Sequence, residues 1–318
     1  MPTKPKQRRQ QPRFDPSRGA RSPGTPVSPE MIDLVDAGWI LKALAGMFVL
    51  AILCSYITLC VLFHYNQWQL VLKPSRSITT TPVAVNLPFT DVHFGVDVSG
   101  QPQLDGWWIP SDSPADPTIL MLHSGDGSMS DAVSQAQALH TARLNILLFD
   151  YRGYGRSTGQ HPTEAMMEAD AQTAFTYVTT LRGIPAAAVI PYGTGAGASL
   201  AVKLCNDHPQ IPAVILESPS GDFLAQAKVD TRAHLVPVSL LFNQNFPLAD
   251  PLHTLTTPKL LVSYTATGAP PPAIFQRAAD PKMTVELPAS PASLTRETIS
   301  RFLGSYVSHP PAPLIPNQ

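Results

Sequence analysis

An uninterrupted apolar run near the amino terminus limits what this chain can fold into. The run covers residues 43–63, reads ALAGMFVLAILCSYITLCVLF and contains no charged residue. As a helix it would be about 30 Å long, which is the thickness of the hydrocarbon core of a bilayer. Trp39 precedes it and Trp68 follows it, where aromatic residues meet a membrane interface. We predict a transmembrane signal anchor over 37–66, because core helices and cleaved signal peptides rarely contain so long an apolar run.

Basic residues beside the run predict its orientation. Residues 1–36 are rich in proline and contain seven Lys or Arg against four Asp or Glu, a charge of +3. We expect a disordered basic tail there, because so polar a stretch cannot form a core. Lys42 also precedes the run, whereas only Lys73 and Arg76 follow it within twenty positions. The positive-inside rule then predicts a single-pass protein with a cytoplasmic amino terminus and an extracytoplasmic carboxy-terminal domain.

Charge and cysteine content exclude several functions. The 318 residues contain 22 Lys and Arg and 23 Asp and Glu, and this formal net charge of −1 does not favour nucleic-acid binding. The three cysteines are too few for a disulfide framework or a multi-cysteine zinc site, and no His, Cys or carboxylate grouping has metal-ligand spacing. We expect no cofactor, metal or nucleic-acid partner. The expected partners are the membrane and an unidentified small molecule or protein.

Residues 70–306 alternate short apolar strands with helical stretches. The expected elements are strands at 118–123, 145–150 and 259–264 and helices near 131–142 and 163–181. Consecutive apolar residues bounded by turn signals are typical of a parallel sheet covered on both faces, so the fold class is α/β. Ahead of them, DVHFGVDV and QLDGWWIP alternate around a Ser-Gly turn, which predicts an antiparallel hairpin at the sheet edge. Residues 307–318 form a Pro-rich tail.

One segment of this body carries a family resemblance. FDYRGYGRSTGQ (149–160) is similar to the segment after the fourth strand in a group of α/β-hydrolases, many of them membrane-anchored. Further segments match in the same order: LPFTDVHF, DGWWIP, the strand ending at His123, LRGIPAAAVIPYGTGAG and AVILESP. The resemblance covers about residue 70 to the C-terminal tail. It implies the α/β-hydrolase fold, a mostly parallel central sheet with helices on both faces, and relatives that are serine esterases, thioesterases or peptidase-like enzymes.

The resemblance also implies a catalytic serine in a G-x-S-x-G turn, with an aspartate and a histidine from later loops. The matching turn keeps both flanking glycines but has Gly195 at the nucleophile position. PKLLVSYTATGAPPP places Thr267 at the position of the acid, and LPASPAS places Ala292 near that of the histidine. No Asp or Glu occurs over 262–279, and no His occurs over 254–308. We therefore predict that the catalytic triad is degenerate.

The remaining pocket residues that the resemblance implies belong to the oxyanion site. They are His123, Ser124 and Gly125, in a loop that departs from the usual His-Gly opening, and Ala196, whose backbone N–H follows the nucleophile position. Once no hydroxyl is needed, glycine at position 195 is stabilising, because this residue of the turn has a strained backbone.

Three serines are weaker candidates for a relocated nucleophile. Ser124 and Ser128 lie in a loop where Ser, Asp and Gly mostly form turns, and Ser199 lies one helical turn past Gly195. A dinucleotide-binding interpretation of the glycines over 193–198 is disfavoured, because that motif normally lies in the first βαβ unit of its domain. Two functions stay open: a non-catalytic pseudo-hydrolase that binds a ligand or protein, and an active ester or thioester hydrolase that uses relocated residues.

Overall fold

The structure, a computed structural model, describes residues 37–231, 235–264, 273–287 and 295–307. The predicted basic tail lies outside these residues, as does the Pro-rich tail from residue 308. The predicted triad positions Thr267 and Ala292 also lie outside the described residues.

A single long helix, α1 (Ala37–Asn66), contains the apolar run. Among the described residues it is the one helix that is long and apolar enough to cross a membrane. It begins in the first of two compact units, residues 1–54, and ends in the second, residues 55–318. A 3-10 turn, Gln67–Leu70, follows the helix.

The second unit alternates strands and helices. The strands that the structure describes are β1 (Lys73–Pro74), β2 (Thr90–Val96), β3 (Pro102–Ile109), β4 (Thr118–Leu122), β5 (Asp126–Gly127), β6 (Asn145–Asp150), β7 (Val189–Gly195), β8 (Val214–Pro219), β9 (Lys259–Tyr264) and β10 (Lys282–Leu287). The helices after α1 are α2 (Val133–Thr141), α3 (Glu164–Thr176), α4 (Gly197–Asp207), α5 (Leu224–Val229), α6 (Val238–Leu241), α7 (Ala249–Thr254), α8 (Ala273–Arg277) and α9 (Arg296–Tyr306).

Eight of the strands form one sheet in the order β10-β9-β8-β7-β4-β6-β3-β2. The strands from β10 to β6 in this order are parallel to their neighbours, whereas β3 pairs antiparallel with both β6 and β2. The predicted parallel sheet and edge hairpin are therefore confirmed. β1 and β5 form a separate two-stranded parallel pair.

Continuous apolar strands lie at the centre because helices cover both faces of the sheet. Every residue of β4 and β6 is buried. Leu120 packs in one core cluster with Met167 of α3 and Leu200 of α4. Its neighbour Ile119 points to the opposite face and packs in a second cluster, which contains residues of α2 and α9. The alternation of side chains along buried strands thus builds two cores, one on each face.

Candidate functional site at the elbow after β7

The sharp turn from β7 into α4 has the backbone that the G-x-S-x-G motif requires. Gly195 has φ +52°, in the left-handed region that glycine adopts without the cost other residues incur. The flanking residues Gly193 and Gly197 must be glycines because other parts of the backbone lie too close to leave room for a side chain. A Cβ at Gly193 would lie 2.6 Å from the Ala198 Cα, and one at Gly197 would lie 2.1 Å from the Leu122 carbonyl oxygen. The elbow is therefore intact as a turn, although its central residue has no side chain.

Ser124 fills the space that a nucleophile would occupy. A Cβ added to Gly195 would lie 2.9 Å from the Ser124 Cβ, closer than real Cβ contacts. The next nearest atoms are the Ser124 Cα at 3.5 Å and the Ser220 Oγ at 3.6 Å. A serine at the usual nucleophile position thus conflicts with the serine that stands in the loop after β4. The two departures from the family pattern, Gly195 and Ser124, are sterically complementary.

The loop that carries Ser124 is held from two sides. The Tyr154 hydroxyl donates to the Gly125 carbonyl at 2.9 Å, and the Lys73 N–H donates to the same carbonyl at 2.9 Å. Leu72 is buried against this loop, where a Cβ on Gly125 would lie 2.6 Å from the Leu72 Cδ2. The chain that leaves α1 and its 3-10 turn therefore pairs, as β1 with β5, with the loop that would cover the oxyanion site.

His123 lies beneath this loop rather than in an open pocket. Its ring is buried against Tyr151 and Tyr154, with centroids 4.5 and 5.1 Å away. Nδ1 donates to the Ser124 carbonyl oxygen at 2.8 Å. Burial lowers the pKa of His123 to about 4, so the imidazole is neutral at physiological pH. This histidine stabilises the loop through its hydrogen bond to the Ser124 carbonyl, and it is not placed to act as a general base.

Asp150 lies beside His123 and is also buried. Its Oδ1 accepts from the Met129 N–H at 2.7 Å and lies 3.6 Å from the His123 Nε2. Burial raises the pKa of Asp150 to about 7. Within the described residues, Asp150 Oδ2 and His123 Nε2 have no hydrogen-bond partner. The pair supports the end of β6 and the start of the earlier 3-10 turn Met129–Ala132.

The three candidate serines are engaged in local structure. The Ser124 Oγ donates to the Asp126 carbonyl at 3.1 Å, and this residue is half-buried. Ser128 is the N-cap of the 3-10 turn Met129–Ala132, and its Oγ donates to the Ser77 carbonyl at 3.1 Å. Ser199 is buried within α4, where its Oγ donates to the Pro247 carbonyl at 2.7 Å. Of the three, Ser124 alone lies against the elbow.

Ala196 completes the predicted pocket set. It is the N-cap of α4, so its backbone N–H lies at the start of that helix, beside Gly195. A Cβ added to Gly125 would lie 3.6 Å from the Ala196 Cβ, which places the two predicted oxyanion segments in contact. The structure thus brings His123, Ser124, Gly125, Gly195 and Ala196 together at one edge of the sheet.

One further carboxyl group near the elbow was not predicted as a site residue. Glu217, on β8, is paired in register with Thr194. Its Oε1 accepts from the Tyr264 hydroxyl at 2.7 Å, and burial raises its pKa. Its Oε2 is buried without a hydrogen-bond partner among the described residues. The only sequence signal for this placement is the acidic residue at the end of a buried strand, the segment AVILESP.

The described residues contain no group of three or more His, Cys, Asp or Glu placed to hold a metal ion. The polar groups that the elbow presents are the backbone N–H groups at the start of α4, since the carbonyls of Ser124, Gly125 and Asp126 already accept hydrogen bonds. N–H groups in this position can donate hydrogen bonds to a carbonyl or anionic oxygen.

A mostly parallel eight-stranded sheet, with an antiparallel edge hairpin and a glycine-flanked elbow between β7 and α4, defines the α/β-hydrolase fold. The family model described as serine aminopeptidase, S33 matches residues 113–265. The chain has the α/β-hydrolase fold, and its sequence is similar to this family over just under half of its length.

Particular relatives agree with this assignment. An uncharacterized protein of Mycobacterium tuberculosis is 28% identical over 255 residues, which cover 78% of this chain and 88% of that protein. Protein bem46 of Schizosaccharomyces pombe is 31% identical over 182 residues, covering 55% of this chain and 59% of bem46. An esterase from Pyrococcus furiosus has the same fold, with a TM-score of 0.56 and 18% identity over 74% of this chain and 98% of the esterase.

Proposed function

We propose that this chain is a membrane-anchored pseudo-hydrolase, which binds a small molecule or a protein through the former active-site region and does not hydrolyse it. The observation that carries the proposal is the contact between Ser124 and the empty side-chain position of Gly195. The absence of a serine at position 195 would by itself be compatible with a nucleophile elsewhere in the pocket. Here, however, Ser124 of the neighbouring loop occupies the space that the side chain of residue 195 would need.

The chemistry of the nearby groups supports the same conclusion. Acyl transfer by a serine needs a base within hydrogen-bond reach and a group that orients that base. Ser124 lies against the elbow, but its hydroxyl donates to a backbone carbonyl. The adjacent His123 is buried, and its Nδ1 donates to the carbonyl of Ser124 itself. Because no His occurs over 254–308, the sequence supplies no histidine at the usual late position either.

A fluorophosphonate probe tests this proposal. The purified full-length protein in detergent should acquire no covalent adduct under conditions in which an active serine esterase is fully labelled. Ser124→Ala and Ser199→Ala serve as matched variants. An adduct on the wild-type body that Ser124→Ala abolishes, and Ser199→Ala does not, would establish the alternative function, an acyl hydrolase with a relocated nucleophile.

A second measurement examines the lost triad directly. Gly195→Ser combined with Ser124→Gly restores the family residues at both positions and removes the steric conflict. We expect esterase turnover to stay near background, because a positioned base and its orienting acid are needed as well as the hydroxyl. Substantial turnover would mean that a histidine and an acid do reach the elbow and that the degenerate-triad interpretation is wrong.

The proposed topology is a single pass through the membrane with the amino terminus in the cytoplasm. It is supported by α1 and by the excess of basic residues before the apolar run. Trypsin added outside intact cells should digest the body and spare the Arg-rich tail. Digestion of the tail with protection of the body would reverse the orientation.

A further inference from the structure

A surface outside the former active site packs against the end of α1. We call this surface the cap and define it as residues 224–231 and 235–242, which include α5 and α6. Its apolar residues, three of them buried and three partly buried, form a small core together with residues of the last two turns of α1 and of the 3-10 turn. The members of this core on the cap are Leu224, Ala227, Val236, Val238, Leu241 and Phe242, and those on the other side are Cys60, Phe63 and Leu70.

Hydrogen bonds fix the cap to the end of α1. Gln67 is buried, and its amide donates to the Leu241 carbonyl at 3.1 Å. The Gln67 Oε1 accepts from the Asn243 N–H at 2.6 Å. The His64 Nδ1 donates to the same Leu241 carbonyl at 3.2 Å. These bonds join the helix terminus to a segment more than 170 positions later in the chain, so the cap has one defined position along the α1 axis.

That position lies at the level of the apolar run. A cavity of about 260 Å³ lies between the cap and α1, and its lining includes Leu59 and Phe63 on the helix and Val236 on the cap. Leu59 precedes the end of the run by four residues, or about 6 Å of helix. The lining also includes residues that follow the run, the polar Asn66, Gln67 and Gln69 and the apolar Leu70. The cavity therefore lies where the apolar run of α1 is followed by polar residues, the level at which a bilayer changes from acyl chains to headgroups.

The cap also presents large apolar side chains to its surroundings. Leu240 is 81% exposed, Val229 is 75% exposed and Leu235 is 69% exposed. Single exposed apolar residues are common on proteins, but three of them within residues 229–240, beside the apolar helix, favour an apolar partner for this segment.

We infer that the cap is seated in the interface of the bilayer that holds α1, with Leu235 and Leu240 among the lipid headgroups and upper acyl chains. This inference rests on the proposed membrane anchor. Interfacial segments insert about 5–10 Å into the headgroup and acyl boundary, which matches the position of Val236 beside Leu59. The body is then attached to the membrane by two elements, α1 and the cap, and has a fixed face towards the lipid.

Site-directed bimane fluorescence of the full chain in lipid vesicles tests the inference. Cys54→Ala and Cys60→Ala remove the accessible thiols, and Cys205 is buried. Single cysteines are then introduced as Leu240→Cys in the cap and as Leu181→Cys for comparison. Leu181 is 74% exposed and is the last residue of the helical segment that begins at Glu164, so the two ends of this segment are about 26 Å apart. Leu50→Cys, within the apolar run, reports the anchor itself.

The inference predicts opposite quenching at the two body positions. Bimane at Leu240→Cys should be quenched several-fold more by lipids with a nitroxide near the headgroup than bimane at Leu181→Cys, and several-fold less by aqueous iodide. Equal quenching at both positions, with Leu50→Cys quenched by a nitroxide deep in the acyl chains, would overturn the cap insertion and leave the anchor standing. No lipid quenching at Leu50→Cys would overturn both.

Discussion

The contact between Ser124 and the empty side-chain position of Gly195 allows a sharp stability prediction. Gly195→Ala adds one methyl group at a residue with φ +52°. A residue other than glycine in the left-handed region costs about 1–2 kcal/mol. The added Cβ would also lie 2.9 Å from the Ser124 Cβ, and overpacking of this kind typically costs about 1–3 kcal/mol. We therefore expect Gly195→Ala to lower the free energy of unfolding by about 2–5 kcal/mol.

The steric part of this cost depends on Ser124 and the backbone part does not. In a Ser124→Gly background the added Cβ loses its nearest neighbour, so Gly195→Ala should cost only the backbone term, about 1–2 kcal/mol. The coupling energy between the two substitutions should then be about 1–3 kcal/mol, in the range measured for residues in contact.

Denaturant unfolding of the four full-length proteins in detergent, followed by tryptophan fluorescence, measures this double-mutant cycle. The variants should share one denaturant slope, so that changes in midpoint report stability. A coupling energy near zero would refute the reasoning, because it would show that Ser124 does not occupy the space beside Gly195. The same result would remove the main support for the pseudo-hydrolase proposal.

Two further predictions concern the supports of this site. Burial raises the pKa of Asp150 to about 7, so between pH 4 and 7 this carboxyl group is protonated in the folded protein and ionised in the unfolded chain. The free energy of unfolding of the wild type therefore falls by up to about 1.4 kcal/mol per pH unit across this range. Asp150→Asn removes this loss because asparagine does not titrate. The free energy of unfolding of the variant minus that of the wild type, measured by denaturant titration, should therefore rise from pH 5 to pH 8. A difference that does not change with pH would contradict the raised pKa. Leu72→Ala should cost about 2–5 kcal/mol because Leu72 is 1% exposed, and should speed hydrogen exchange of the Lys73 amide. Val83→Ala, at a 65% exposed position, should leave both unchanged, and equal effects of the two substitutions would show that Leu72 does not hold the loop.

Much of the sheet could be predicted from local sequence. The strands expected at 145–150 and 259–264 have those bounds in the structure, and the strand expected at 118–123 ends one residue earlier. Unbroken apolar segments bounded by turn residues leave few alternatives, because each must be buried on both sides. The helix expected over 163–181 is α3 followed by a π-helical turn, Tyr177–Leu181. That irregular end has no clear signal in the sequence.

The candidate site could be predicted only in part. The motif placed the elbow at Gly195, because glycines on both sides of a strand-to-helix turn are required by close backbone approach. The sequence also predicts that the acid and the histidine are missing, since Thr267 and Ala292 cannot supply a carboxylate or an imidazole, and both positions lie outside the described residues. It did not show that Ser124 closes the vacated space, because the two residues are distant in the chain and meet only when β4 and β7 pair.

The sequence by itself therefore determined the apolar helix, the α/β architecture and the glycine at the centre of the elbow, all of which depend on residue type and local spacing. Tertiary structure decided what occupies the emptied elbow, how the chain after α1 pairs with the oxyanion loop, and where the cap lies along α1. The Gln67 to Leu241 bond joins residues 174 positions apart, and no local pattern encodes such a contact. Long-range contacts of this kind depend on the distances that the sheet sets between loops, which is why a sequence motif locates the site but the fold determines its contents.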